Sequence, residues 1–183
     1  MKNFFFLIAF VFATTILQAQ NENIQKGTWM AGGSITFSNT TQIQGNNSIT
    51  NTNFSLDPQA GYFLSPRFAL TLGASLSTSK FPSGTANALV FMPGARMYLY
   101  KGLFASAQVG IGHQKVNADA NSIAVNLFSY EGGIGYSIFL NKHVAIEPAL
   151  IYRSNNFDQI GASNGFTRSE RLLNFSVGFR IFL

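Results

Sequence analysis

Large apolar residues in this chain recur at every second position rather than every third or fourth. The clearest case is the last stretch, where Leu173, Phe175, Val177, Phe179, Ile181 and Leu183 share one face. Asn174, Ser176, Gly178 and Arg180 share the other, with Phe182 the one large apolar residue among them. A period of two predicts strands with chemically distinct faces. Eight such strands are predicted, at residues 27–38, 53–64, 68–78, 87–100, 103–116, 123–140, 144–155 and 169–183. Most exceed the ~10 residues that a tilted strand needs to cross the hydrocarbon of a bilayer. Helical periodicity is poor, and Gly, Thr, Ser and Phe dominate where a helix would favour Ala, Glu and Lys.

A strand that shows six bulky apolar side chains to one side suits a membrane barrel, because lipid wets one face and the lumen the other. The connections support this. Ser65-Pro66-Arg67, Lys101-Gly102 and Asn141-Lys142-His143 are tight, whereas 39–52, 79–86, 117–122 and 156–168 are polar and longer. Short turns on one side and long loops on the other characterise outer-membrane barrels. The predicted fold is therefore an all-β, eight-stranded antiparallel up-and-down transmembrane β-barrel. Its three tight turns and both termini are expected in the periplasm, and the four loops outside. Trp29, Tyr62, Tyr130 and Tyr152 fall toward strand ends, where an interfacial aromatic girdle is expected. Pro58, Pro93 and Pro148 each remove a ladder donor, so bulges are expected at those positions.

Composition agrees with this pattern. Charged residues make up 10% of the 183 and hydrophobic ones 46%, against about 25% charged in a soluble domain. No segment after the leader is continuously apolar over the length of a spanning helix. At the N-terminus, Lys2, the apolar run from Phe4 to Ile16 and Leu17-Gln18-Ala19 have the form of a cleavable secretory signal over residues 1–19, leaving a single barrel domain over 20–183. An uncleaved anchor is the alternative. With no cysteine in the chain, disulfides, thiolate metal sites and a lipid-modified N-terminal Cys are excluded. The formal charge is +5, but the basic residues are scattered, so no nucleic-acid partner is expected.

Parity also assigns the lumen. Asp57, Glu131 and Glu147 point inward together with Arg96, Arg153 and Arg180. An eight-stranded interior is just wide enough to be filled by side chains, so these charges are expected to pair. If the Asn141–His143 turn sets Leu140 opposite Val144, Glu131 falls opposite Arg153, while Glu147, Arg96 and Arg180 form a second group. Matched signs favour neutralisation over catalysis. Phe63, Tyr98, Phe104, Phe139 and Phe182 point inward near the expected periplasmic end and would close the floor of the lumen. Val90, Met92, Leu127, Ile151 and Leu172 would line its upper part.

Two hairpins carry a resemblance. Pro93-Gly-Ala-Arg-Met-Tyr-Leu-Tyr100 with Leu103-Phe104-Ala105, and Gly133-Ile-Gly-Tyr-Ser-Ile-Phe-Leu-Asn-Lys-His-Val-Ala-Ile-Glu147, resemble hairpins of the small outer-membrane β-barrel domains common in Bacteroidota, of the OmpX/OmpA eight-stranded type. The likeness spans the whole mature chain and implies the architecture rather than an activity. Ser176, Gly178, Ile181 and Leu183 also resemble the C-terminal signal read by the barrel-assembly machinery, with Leu183 in place of the usual aromatic.

Candidate chemistry is sparse. Gly132-Gly133-Ile134-Gly135 and Gly110-Ile111-Gly112 lie inside predicted strands and open no helix, so they form no phosphate cradle; close packing in the lumen explains them. His113 and His143 lack a second ligand at metal spacing. Some eight-stranded barrels are lipid A deacylases with a membrane-facing His and a Ser two residues later, but here position 115 is Lys. The sequence thus predicts a non-enzymatic outer-membrane barrel of a Gram-negative bacterium, with no cofactor and a plugged polar lumen. It would act structurally or through loops carrying Phe81, Phe157 and Phe166, in adhesion or surface interaction. Its expected partners are outer-membrane lipid, the assembly machinery and a surface partner. The alternative is a carrier or channel for small hydrophobic molecules.

Overall fold

The computed structural model describes residues 24–44, 47–118, 121–159 and 167–183; the predicted leader 1–19 and Phe166 lie outside them. The strands are β1 (Trp29–Gln44), β2 (Asn47–Ser65), β3 (Phe68–Phe81), β4 (Gly84–Tyr100), β5 (Leu103–Ala118), β6 (Asn121–Tyr136, resumed after Ser137 by Ile138–Phe139), β7 (Val144–Gln159) and β8 (Thr167–Phe182). Each pairs antiparallel with its neighbours in sequence, and β1 pairs with β8, which closes an eight-stranded up-and-down barrel. The outer face carries an apolar belt from every strand, including exposed Ile35, Phe37, Leu70, Phe91, Ile111, Phe128, Leu150 and Phe175.

The strands run well past the predicted ends. The stretch expected as a loop at 39–52 continues the β1–β2 ladder from Asn39↔Thr52 to Gln44↔Asn47. The other three polar stretches likewise extend hairpins: β3–β4 runs to Phe81↔Gly84, β5–β6 to Ala118↔Asn121 and β7–β8 to Asp158↔Thr167. Apolar alternation weakens in these stretches, whereas backbone pairing does not. Directly opposed polar side chains help to hold these extensions. Thr78 Oγ1 donates to Asn87 Oδ1 at 2.9 Å, Ser122 Oγ to Asn117 Oδ1 at 3.0 Å and Ser169 Oγ to Asn156 Oδ1 at 2.6 Å.

The prolines make no bulges. Pro58 keeps its place opposite Gly33 while pairing toward β3 lapses between Leu56 and Gln59 with no change of register. Pro93 stays opposite Leu72, and the lapse faces β5; Pro148 stays opposite Val177, and the lapse faces β6, where Ser137 interrupts the strand. In an antiparallel sheet a residue's N–H points to one neighbour only. The missing donor therefore costs local pairing on one side and leaves the register intact. Register shifts occur instead beside tight turns, at Phe63/Ser65 and Tyr98/Tyr100. The second of these turns Tyr100 outward although parity would aim it inward with Tyr98.

The β1–β8 seam is the exception to full pairing. Trp29 and Leu183 exchange both backbone hydrogen bonds, at 2.9 and 2.8 Å, and the register then runs only from Met30↔Phe182 to Ser34↔Gly178. Beyond it, Ile35–Gln44 and Thr167–Val177 have no ladder partner across the seam among the described residues.

Inside the barrel, glycine makes room for aromatic rings. Phe104 lies opposite Gly135, and a Cβ on Gly135 would stand 2.6 Å from Phe104 Cζ and 2.8 Å from Ala149 Cβ. Gly135→Ala is expected to lower stability by about 1–3 kcal/mol, the usual cost of overpacking, read as a lower urea midpoint in detergent micelles. Gly132→Ala serves as the control, since nothing lies within 4 Å of its added carbon, and it should leave the midpoint in place.

Candidate functional site

The lumen is layered from the end that holds the termini. Its floor is a buried cluster of Ile24, Met30, Phe63, Ala69, Tyr98, Phe104, Ala145 and Phe182, with Phe139 packed against it. Ring centroids lie 5.9 Å apart for Phe63–Tyr98, 6.2 Å for Phe63–Phe182, 5.8 Å for Tyr98–Phe104 and 5.2 Å for Phe139–Phe182, the spacing of favourable tilted pairs. All five aromatic residues expected at the floor meet there. Ile24 and Met30 complete it. Ile24 precedes the first strand, where period-two reading says nothing, and Met30 was legible only as the inward neighbour of Trp29.

Above the floor sits the first charge layer. Arg96 on β4 donates through Nη1 to both carboxylate oxygens of Glu147 on β7, at 2.8 and 2.9 Å. Arg180 on β8 donates through Nε to Glu147 Oε2 at 3.2 Å. Ser137 Oγ donates to Glu147 Oε1 at 2.7 Å and lies 2.9 Å from Tyr98 Oη, so the residue that interrupts β6 also ties the carboxylate to the floor. The Arg96 guanidinium lies 4.0 Å from the Phe104 ring centroid, a cation–π contact.

The second layer is more open. Glu131 stands opposite Arg153, and its Oε2 accepts from Nε at 2.7 Å and lies 2.6 Å from Nη2. Asp57 lies 3.7 Å from the same guanidinium and accepts from Ser55 and Ser75. Gln59 donates to Gln108, and Gln108 to Glu131, each at 3.0 Å, which links β2, β5 and β6 across the lumen. These two glutamines and the serines are inward by parity, but nothing in the sequence distinguishes them from other lumen filling. The six charged residues thus divide three and three, with Arg96, Glu147 and Arg180 below and Asp57, Glu131 and Arg153 above.

Cavities remain in the lumen between the described residues. One of about 120 Å³ lies between the layers and touches all six charged residues. Another, of about 220 Å³, lies above Arg153. Val90, Met92, Leu127, Phe157 and Leu172 line the upper cavity among Gln114, Ser129, Asn155 and Glu170, while Asn53, Ser55, Ser75, Ser77 and Ser79 supply a polar side. Val90, Met92, Leu127, Val125 and Phe157 form a buried cluster, whereas Ile151 and Leu172 are half-buried. Phe157 was expected on an exposed loop; it sits on β7 with its ring in the lumen, because that strand continues to Gln159. Thr36 on β1 and Asn174 on β8, on either side of the seam, line both cavities, as do Ser55, Met92 and Arg153.

The remaining candidates lie outside the lumen layers. Ser176 and Gly178 face inward, while Ile181 and Leu183 lie on the outer face. His113 and Lys115 are exposed on the outside of β5, and exposed His143 places Nδ1 2.9 Å from the Phe182 carbonyl oxygen.

The chain matches no family model and no curated protein in sequence. Among solved structures it is similar to the outer membrane protein OprG from Pseudomonas aeruginosa, with a TM-score of 0.54 and 12% identity over 91% of this chain and 99% of that one. That likeness shows the fold, a small outer-membrane β-barrel. Weaker likenesses are the outer membrane protein AlkL (TM-score 0.46, 12% identity, 87% of this chain and 89% of that one) and the translocator domain of autotransporter NalP from Neisseria meningitidis (0.45, 15%, 88% and 64%).

The two layers differ in what removal of an acid exposes. The side chains of Arg96 and Glu147 are 5% and 2% exposed, and that of Arg153 is 23% exposed. Glu147→Ala strands two buried guanidiniums and is expected to lower stability by about 3–5 kcal/mol. Glu131→Ala leaves Asp57 and lumen water beside Arg153, so its cost should be smaller, on the order of 1–2 kcal/mol. Denaturant titrations of both variants in micelles test the ranking; an equal or reversed order would contradict the layered arrangement.

Proposed function

We propose that this chain is an integral outer-membrane β-barrel protein of a Gram-negative bacterium, without enzymatic activity. In this reading the leader directs export, and the C-terminal residues Ser176, Gly178, Ile181 and Leu183 address the chain to the assembly machinery. The termini and tight turns face the periplasm and the long hairpins project outward. The barrel acts structurally or through those hairpins, in adhesion or another surface interaction. The observation that carries this reading is the closed floor. An apolar plug of interlocked rings, backed by a salt-bridged layer, supports a lumen with no continuous aqueous path, which leaves the projecting hairpins as the surface for interaction. Planar-bilayer recording on the purified protein tests it. Expected is no large, stable conductance; a steady open pore would overturn the plugged-barrel reading.

A second reading, a carrier for small hydrophobic molecules, is favoured by the seam. There the apolar belt residues Ile35, Phe37, Phe175 and Val177 flank two unpaired strand edges, beside a cavity lined in part by apolar side chains. Thr36 and Ser176 would be directly opposed if the β1–β8 register continued past Ser34↔Gly178. A Thr36→Cys/Ser176→Cys pair should therefore form a disulfide only by drawing the seam shut. If the barrel is a carrier, oxidising this pair is expected to abolish uptake of a hydrophobic probe into proteoliposomes, and reduction to restore it. Uptake unaffected by oxidation would remove the seam as the entry route.

A further inference from the structure

The two charge layers are balanced together and unbalanced separately. The lower one sets Arg96 and Arg180 against Glu147, a surplus of one positive charge; the upper one sets Arg153 against Glu131 and Asp57, a surplus of one negative charge. The two surpluses are not equally satisfied. Asp57 accepts from Ser55 and Ser75 besides facing Arg153, and Glu131 accepts from Gln108 as well as Arg153. In contrast, Arg180 is 6% exposed and its one described hydrogen bond runs through Nε to a carboxylate that Arg96 already engages through both oxygens. Among the described residues, Arg180 Nη1 and Arg96 Nε are buried without a hydrogen-bond acceptor. A buried charged donor left unpaired is costly.

The geometry points to a binding site for a small monovalent anion, a halide or a one- or two-carbon carboxylate, in the 120 Å³ chamber against Arg180. The chamber has room for such an ion with several waters. Its lining includes the hydroxyls of Ser34 and Ser176 on the two strands of the seam that carries Arg180, which can donate to an anion. The acids on the opposite wall already have their donors, which argues against a cation or an ammonium group as occupant. The floor lies below the site, and the upper cavity shares with it the lining residues Thr36, Ser55, Met92, Arg153 and Asn174. Bound there, the anion would neutralise the lower layer. This site goes beyond the plugged-barrel reading and does not require the barrel to conduct or to carry anything.

The test is denaturant unfolding of the intact protein in zwitterionic micelles, with sodium chloride exchanged for sodium gluconate at constant ionic strength, gluconate being too large for the chamber. An anion bound only by the folded barrel should lower the unfolding equilibrium constant in proportion to 1 + [chloride]/Kd, and formate should act likewise. Arg180→Gln leaves the Arg96–Glu147 pair intact and should abolish the chloride dependence. Identical curves in chloride and gluconate, or a chloride effect that survives Arg180→Gln, would overturn the site. Should Arg180→Gln fail to fold, crystals of the unaltered protein grown with bromide decide the matter. An anomalous peak beside Arg180 is expected, and bromide confined to the exterior would overturn the proposal.

Discussion

Backbone hydrogen bonding is the constraint on which everything else in this barrel rests. A sheet whose outer face is apolar has no water on that side to satisfy N–H and C=O groups, so the ladder must close on itself. Closure fixes the alternation of faces, and alternation collects every inward residue into one narrow volume. The floor, the charge layers and the glycine opposite Phe104 follow from filling that volume. The prolines show how strict the ladder is: each sits where its missing donor interrupts one neighbour for a short stretch, and the pairing resumes in the same register.

The charges depend on this confinement. Six ionic side chains on strands from β2 to β8 could not remain apart in an eight-stranded lumen, and burial makes each unpaired one expensive. Their division into two groups follows from height along the barrel. Glu147 meets Arg96 and Arg180 next to the aromatic floor, where Tyr98, Ser137 and Phe104 hold the cluster in place. Glu131 meets Arg153 nearer the open end, where water reaches the guanidinium. Pairing by height leaves each group with an odd charge. A lumen filled for stability alone would favour equal numbers in each layer.

Much of this was legible before any coordinates. Outer and inner faces follow from period two, and the Asn141–His143 turn alone sets Glu131 opposite Arg153, because Leu140↔Val144 and Glu131↔Arg153 belong to one register. The five aromatic floor residues follow from parity near strand ends. What escaped the sequence did so for physical reasons. Polar hairpins such as β1–β2 keep pairing after their alternation has stopped, so the apolar signal underestimates strand length and left Phe157 in an apparent loop. Ile24 plugs the floor from outside any strand. The side on which a proline lacks its donor depends on the ladder phase, which a single strand does not reveal.

The seam is where the closure constraint is relaxed. Met30 to Ser34 zip onto Gly178 to Phe182, and above them the ladder stops while Ile35, Phe37, Leu173, Phe175 and Val177 keep the outer face apolar. An open edge cannot be left facing hydrocarbon, so its polar groups must find water or another partner on the lumen side. The lumen supplies that side with space: Thr36 and Asn174 stand on either side of the seam and line both cavities. The unpaired edges and the lumen spaces are therefore one feature. A barrel fully zipped from Trp29 to Gln44 would close its interior off from the side. The floor separates this interior from the end that carries the termini. Both chambers lie on the hairpin side of the floor, beside the seam.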